Sequence, residues 1–306
     1  MLMFPNEKIM KKYKKMKKIL DNYMHMCYIT NSWYTNGIQT EYRGRVINGQ
    51  ERRSMMEAFR LTGKTAIVTG AGAGLGNSMA AGLAEAGARV ALIDIRPDIG
   101  EIAKRMCGDG RELVGIQANL TDREDLKRGF GACLRLLGGV DILINNAGMQ
   151  VRGRAEEIAL GDWDRLMELN VTALFEMSRL AAREMMKKGY GKIINVASML
   201  SFFGGLNCSP YAASKGAVAQ LTKAFSNEWA GHGINVNAIA PGYMDTALNT
   251  TLMADQERYR EITLRIPAHR WGQPEDLIGT VIYLASRASD YVSGAVIPID
   301  GGYLGR

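Results

Sequence analysis

Residues 64–86 set the tightest limit on the fold. A short apolar run, Lys64-Thr65-Ala66-Ile67-Val68-Thr69, passes directly into Gly70-Ala71-Gly72-Ala73-Gly74-Leu75-Gly76, then into an Ala/Leu-rich segment from Asn77 to about Ala86. Strand, glycine loop and helix in that order are the context of a dinucleotide-binding fingerprint. Gly70, Gly74 and Gly76 let the backbone turn tightly and approach a pyrophosphate. The N-terminus of the helix that follows, with Leu75 and Gly76 just ahead of it, offers unpaired N–H groups to the phosphates. Glycines also serve ordinary turns, so this reading depends on what the rest of the chain supplies.

From Leu61 onward strand and helix patterns alternate. Strands are expected at 64–69, 89–94, 112–117, 140–145, 191–197, 234–240 and 295–299. All are short, apolar and rich in Val and Ile, as buried parallel strands are. Helical runs at 121–137, 162–188, 210–231 and 274–286 lie between them. Seven βα-type units predict an α/β fold, a single Rossmann-type doubly wound domain with a seven-stranded parallel sheet. About 250 residues is enough for one such domain with a sizeable core.

Two strand ends extend the dinucleotide reading. The second strand closes on Asp94, 18 residues after Gly76. A carboxylate there can hydrogen-bond the adenosine ribose and repel a 2′-phosphate, so NAD is the expected cofactor. A helix cap or a solvated turn before Pro97 is the alternative role. The fourth strand runs through Asn145 into Asn146-Ala147-Gly148, where a simple turn is the alternative.

The chemistry would sit further along, in Ser198 and in Tyr211-Ala212-Ala213-Ser214-Lys215. A Tyr and a Lys four apart share one helix face. A nearby ammonium stabilises a phenolate, so Lys215 is expected to lower the Tyr211 pKa from its usual value of about 10. Such a tyrosine can exchange a proton with an alcohol or a carbonyl, and Ser198 can hydrogen-bond the same oxygen. Alone, a Tyr-x-x-x-Lys pair is often two solvated neighbours. A hydride carrier at the glycine loop would give it a purpose.

Thr69-Gly70-x-x-x-Gly74-x-Gly76, Asn145-Asn146-Ala147-Gly148, Asn170, Ser198, Tyr211-x-x-x-Lys215 and Pro241-Gly242 together resemble the short-chain dehydrogenase/reductase family, from about residue 57 to the C-terminus. The resemblance implies Tyr211 as general acid/base and Ser198 as the group holding the reacting oxygen. It implies Lys215 on the nicotinamide ribose as well as beside Tyr211. Asn170 would position, through its backbone, a water linking Lys215 to solvent. Leu120, Asn146, Ala147, Gly148, Pro241, Gly242 and Thr246 would contact the cofactor, and 244–265 would form a mobile substrate lid. A homotetramer is the family's common state, built on 162–188, 210–231 and the C-terminal segment. Asn119 departs from the pattern, since the family usually has Asp there against the adenine amino group. An amide oxygen could still accept that bond.

Residues 191–202, 235–244, 265–272 and 300–306 resemble a branch of that family acting on sugar acids of the 2-deoxy-D-gluconate or 2-dehydro-3-deoxy-D-gluconate type. This implies a six-carbon sugar-acid substrate whose carboxylate needs a cation. Arg152 is the candidate, because Arg suits bidentate carboxylate binding; a solvated loop residue like Arg154 is an equal alternative. His269 is a candidate pocket residue on position alone, and Cys208, near Tyr211, is assigned no role. Three rivals stay open: a gluconate 5-dehydrogenase, a 3-oxoacyl carrier-protein reductase and a dinucleotide-sensing binding protein. Asp94 argues against the carrier-protein reductase, although Arg96 stands two residues on. The joint presence of Ser198, Tyr211 and Lys215 argues against the binding protein.

Residues 1–55 differ from the rest. They hold seven Lys and four Arg against four acids, a net +7 that equals the formal charge of the whole chain. The remaining residues therefore balance, and no nucleic-acid partner is expected from the basic composition. No stretch approaches the ~18–20 apolar residues of a membrane span, and no secretory pattern follows the Lys cluster. Residues 1–55 are expected to be a disordered basic extension or upstream sequence translated from an early start, ahead of a domain at 56–306. Four Cys (27, 107, 133, 208) without metal spacing predict no metal and a reduced, cytoplasmic protein.

Overall fold

The computed structural model describes residues 56–108 and 110–306. The expectations for residues 1–55, including Cys27, lie outside the described residues. Seven strands form one sheet: β1 (Thr65–Thr69), β2 (Arg89–Asp94), β3 (Leu113–Gln117), β4 (Ile142–Asn145), β5 (Gly191–Val196), β6 (Ile234–Pro241) and β7 (Val296–Ile299). They lie in the order β3-β2-β1-β4-β5-β6-β7, and every pairing is parallel. The strand order reverses between β1 and β4. In such sheets a ligand crevice opens beyond the carboxyl ends of the strands at that point.

Alternation along the strands makes two cores. In β1, Ile67 faces one layer while Ala66 and Val68 face the other. The Ile67 side is covered by α3 (Arg123–Leu137), α5 (Leu174–Lys188) and α6 (Ser209–Trp229), through residues such as Phe130, Met177 and Phe225. The opposite side is covered by α1 (Gly74–Glu85), α2 (Ile99–Met106) and α9 (Ile278–Ala285), through Leu83, Ile102 and Val281. A third, smaller core gathers Met199, Ile262, Ile266, Trp271 and Tyr303 beside the sheet.

The sheet therefore has the composition and direction that alternation predicted, with strand ends shifted by a residue or two. Helix boundaries moved further. α1 begins at Gly74, inside the glycine motif, not at Asn77. α2 is an amphipathic helix of 8 residues that was not expected. The run at 162–188 begins at Leu160 and is broken: α4 (Leu160–Met167), a π-helical stretch at Glu168–Ala173, then α5. The expected lid contains two short helices, α7 (Thr250–Ala254) and α8 (Gln256–Arg265).

Candidate active site

The first part of the site is made by backbones in close approach. Gly70 has φ +62°, and a Cβ there would stand 2.8 Å from Ala147 Cα. A Cβ on Gly76 would fall onto the Gly70 carbonyl and the Asn146 amide. Only glycine lets the loop after β1 lie against the end of β4. Asn146 locks the two together. Its Nδ2 donates to Thr69 O and Gly70 O at 2.9 Å, while the backbone N–H groups of Asn146 and Ala147 donate to Thr69 Oγ1 at 3.0 Å. Thr69 belongs to the glycine motif in sequence, with no site role expected of it. Its hydroxyl proves to be the pin between the strand ends.

Beyond these turns lies a cleft of about 660 Å³, lined by Gly70, Asp94, Asn119, Leu120, Ala147 and Gly148 among others. Asp94 Oδ2 accepts from Gly72 N at 2.8 Å and Oδ1 from Arg96 N at 3.1 Å. The carboxylate thus holds the glycine loop in place while facing the cleft. Arg96 is turned to Asp98 by two bonds of 2.9 and 2.8 Å. Asn119 departs from the sequence expectation, since its Oδ1 already accepts from the N–H and hydroxyl of Thr121, at 3.1 and 2.8 Å. Its oxygen is therefore satisfied locally and less available to an adenine amine. Leu75 packs against the core beneath the loop. Thr246 approaches from beyond Pro241 and Gly242, with Cγ2 4.0 Å from the point where a Gly74 Cβ would stand. Size, glycine cradle and carboxylate fit a dinucleotide.

The second part is built on the end of β5 and the first turns of α6. Ser198 starts a tight turn, where its Oγ accepts from Leu200 N at 3.2 Å. Tyr211 and Lys215 lie one turn apart, with Lys215 Nζ 5.5 Å from the Tyr211 ring centre. Lys215 is buried and donates to Val196 O at 2.7 Å. Burial pushes its pKa down to about 8. Burial also pushes the Tyr211 phenol up to about 12, against the opposing pull of the Ser198 hydrogen bond and the Arg152 charge. The expected lowering of Tyr211 by Lys215 is therefore not seen. The lysine spends a proton on a backbone carbonyl, and desolvation outweighs what charge remains nearby.

Asn170 sits in the π-helical stretch, 2 % exposed. Its Oδ1 accepts from Met149 N at 2.8 Å, and its Nδ2 donates to Met149 O and Ser214 Oγ at 2.9 and 3.1 Å. Ser214 Oγ donates to Tyr211 O at 2.8 Å. The amide thus ties the loop after β4 to the helix bearing Tyr211 and Lys215. The sequence reading assigned Asn170 a backbone role; the side chain has one of its own. Widened π turns recur at functional sites, though nothing in residues 168–173 announces one.

Ser198 and Tyr211 open into a pocket of about 450 Å³ that also takes in Arg152, Cys208, Tyr243, Arg258, Arg265 and Tyr303. Arg154 is paired with Glu156 at 2.7 Å. Arg152 bonds to Gln150 Oε1 at 3.2 Å and has no carboxylate partner among the described residues. Arg152 lines the pocket, whereas Arg154, the solvated residue to which it was compared, is held by a carboxylate. Cys208 stands just before α6 without a side-chain bond to the helix end, and burial pushes its thiol pKa up. His269 is exposed in a left-handed turn at φ 53° and does not line the pocket, contrary to expectation. Arg258 and Tyr303 come from segments with no local motif, and sequence reading missed both.

A model of the short chain dehydrogenase family matches residues 64–257. The 2-dehydro-3-deoxy-D-gluconate 5-dehydrogenase of Dickeya dadantii is 47% identical over 253 residues, covering 82% of this chain and 100% of that protein. That of Bacillus subtilis is 46% identical over 250 residues, covering 82% and 98%. The crystal structure of a gluconate 5-dehydrogenase from Burkholderia cenocepacia, in complex with NADP and tartrate, superposes with TM-score 0.80 at 38% identity, covering 82% of this chain and 99% of that one. The chain belongs to the short-chain dehydrogenase family and is an oxidoreductase acting on CH–OH groups.

Proposed function

We propose that this dehydrogenase interconverts a secondary hydroxyl and a ketone on a six-carbon sugar acid of the 2-deoxy-D-gluconate or 2-dehydro-3-deoxy-D-gluconate type, with NAD as cofactor. Bound in the cleft, an oxidised nicotinamide dinucleotide would supply the hydride acceptor and a positive charge that favours the Tyr211 phenolate. Tyr211, as phenolate, takes the hydroxyl proton as hydride leaves, and returns it in the reverse direction. Ser198 donates a hydrogen bond to the reacting oxygen. Lys215 holds the nicotinamide ribose and passes protons toward solvent. Asn170 keeps the loop after β4 in register with α6. Arg152 binds the substrate carboxylate.

The observation that carries this reading is the shared pocket. Ser198, Tyr211 and an arginine without an acidic partner among the described residues face one cavity. The segment 147–152 leads from the dinucleotide cleft into it, with Ala147 and Gly148 on one side and Gln150 and Arg152 on the other. Dehydrogenases named for these sugar acids, at 46–47% identity, support the substrate class. Asp94 supports NAD, because a 2′-phosphate would be brought against its carboxylate while Arg96 is held by Asp98.

A homotetramer fits the apolar side chains left open on the outer helices, Leu160, Trp163 and Phe175 among them. Sedimentation giving a monomer would reject it. A reduced cytoplasmic setting fits Cys107, Cys133 and Cys208, all free thiols. Among the described residues, no helix is long and apolar enough to cross a membrane.

The test is a screen of aldonic and ulosonic acids with NAD⁺/NADH and NADP⁺/NADPH, repeated on Arg152→Ala. Turnover of a sugar acid with NAD is expected, with KM for the acid raised in Arg152→Ala and dinucleotide binding unchanged. If no such acid reacts, the substrate reading falls while family membership stands.

A further inference from the structure

Three guanidinium groups, Arg152, Arg258 and Arg265, line the pocket that holds Ser198 and Tyr211, and no Asp or Glu is among its described lining. Arg152 and Arg258, with Leu206, also line an adjoining surface cavity of about 380 Å³. These two arginines therefore stand where the inner pocket meets the outer cavity. They arrive from different parts of the chain: Arg152 from the segment after β4, Arg258 from the first turn of α8.

The local structure fixes where Arg258 stands. Asp255 caps α8 by accepting from Arg258 N at 3.0 Å. Ile262, one turn further on the same face, is buried in the third core with Met199, Trp271 and Tyr303. Tyr259 stacks on Trp271 at 5.2 Å. Arg265 already has a neighbour in the Tyr303 ring, 5.1 Å away. Arg258 is engaged differently. Its Nη1 donates to Glu261 Oε2 at 2.9 Å, with side chains 41% and 56% exposed. An exposed pair of this kind is weak and readily exchanged, whereas a planar guanidinium gains two parallel bonds from a carboxylate brought into the pocket.

We propose that Arg258 is the second arm of a carboxylate clamp, closing with Arg152 on the acid end of the substrate, and that Glu261 competes for it when no substrate is present. This rests on the reading that the pocket takes a sugar acid. It makes α8 the element that separates acids from neutral polyols.

The test uses the full chain, with KM and kcat measured for 2-deoxy-D-gluconate and for uncharged D-gluconamide, and with D-gluconate titrated calorimetrically into the NADH-loaded protein. Arg258→Gln is expected to raise the acid KM about tenfold or more, change kcat far less, and leave the amide unaffected, since what is lost is a charged hydrogen bond to bound substrate. Arg258→Lys should fall between. Glu261→Gln should lower the acid KM by releasing the arginine, which a merely structural role for the pair would not do. Equal effects of Arg258→Gln on acid and amide, or an acid KM in Glu261→Gln that stays the same or rises, overturn the clamp. If no sugar acid is oxidised but D-gluconate binds in an Arg258-dependent way, the clamp stands and the substrate reading falls. If no sugar acid is oxidised and D-gluconate does not bind, both fall.

Discussion

The cleft beyond the glycine loop and the pocket that holds Ser198 and Tyr211 are joined by the segment 147–152 but are built differently. The cleft is held by main chain: Gly70 and Gly76 against the end of β4, Asn146 bonded to two carbonyls, Thr69 accepting two N–H groups. The pocket is held by side chains drawn from the segment after β4, the turn after β5, α6, α8 and the C-terminal Tyr303. A site for a constant ligand can be written into one rigid turn. A site that tells one alcohol from another needs groups at several distances, and long side chains on separate elements supply them. Change in the main-chain turns of the first region should therefore act all or none, and change in the side chains that choose between ligands by degrees.

The largest effect should separate chemistry from binding. Tyr211→Phe is expected to lower kcat by roughly 10²–10⁴-fold while NADH affinity holds. Retained turnover of more than a few per cent would remove Tyr211 from the acid/base role.

Gly76→Ala tests the all-or-none character of the cleft. The added methyl meets the Gly70 carbonyl and the Asn146 amide, an overpacking worth ~1–3 kcal/mol. Loss of NADH binding in titrations is expected, and unchanged affinity would show that the loop can yield.

Cofactor choice should shift by degrees. Asp94→Ala is expected to narrow the preference for NAD⁺ over NADP⁺ in kcat/KM. Asp98→Ala should narrow it less, by freeing the Arg96 fork. Equal use of the two cofactors by the unmodified protein contradicts the role given to Asp94.

The smallest effect is on stability. Lys215 has a folded pKa of about 8 against an ordinary 10.5, so the folded state binds fewer protons and stability rises with pH across about 8 to 10.5. Tyr211 acts oppositely: its pKa is raised from 10.0 to about 12, so its contribution is lost as pH rises over that range. Denaturant midpoints of Lys215→Met should lack the rise between about pH 8 and 10 seen in the unmodified protein. An identical pH profile in the two would show that Lys215 is not desolvated in the folded state.

Legibility followed this division. Alternating apolar runs located all seven strands, because burial on both faces of a parallel sheet demands them whatever the packing partner. The glycine loop, Asn146, Ser198, Tyr211 and Lys215 could be read because their spacing is local, one turn or one strand end. α2 was missed because an 8-residue helix offers little periodicity. Whether Arg152 faces the pocket or solvent could not be read, because an irregular segment has no periodicity that orients its side chains.

Strand positions, the glycine turn and the placing of Tyr211 and Lys215 on one helix face thus followed from short-range pattern. The order of the strands, which arginines line the pocket, where α8 places Arg258, and how far burial carries Tyr211 and Lys215 from their ordinary pKa values did not. Those depend on distances and solvent exclusion between segments far apart in the chain, and such quantities exist only once the sheet has brought the segments together.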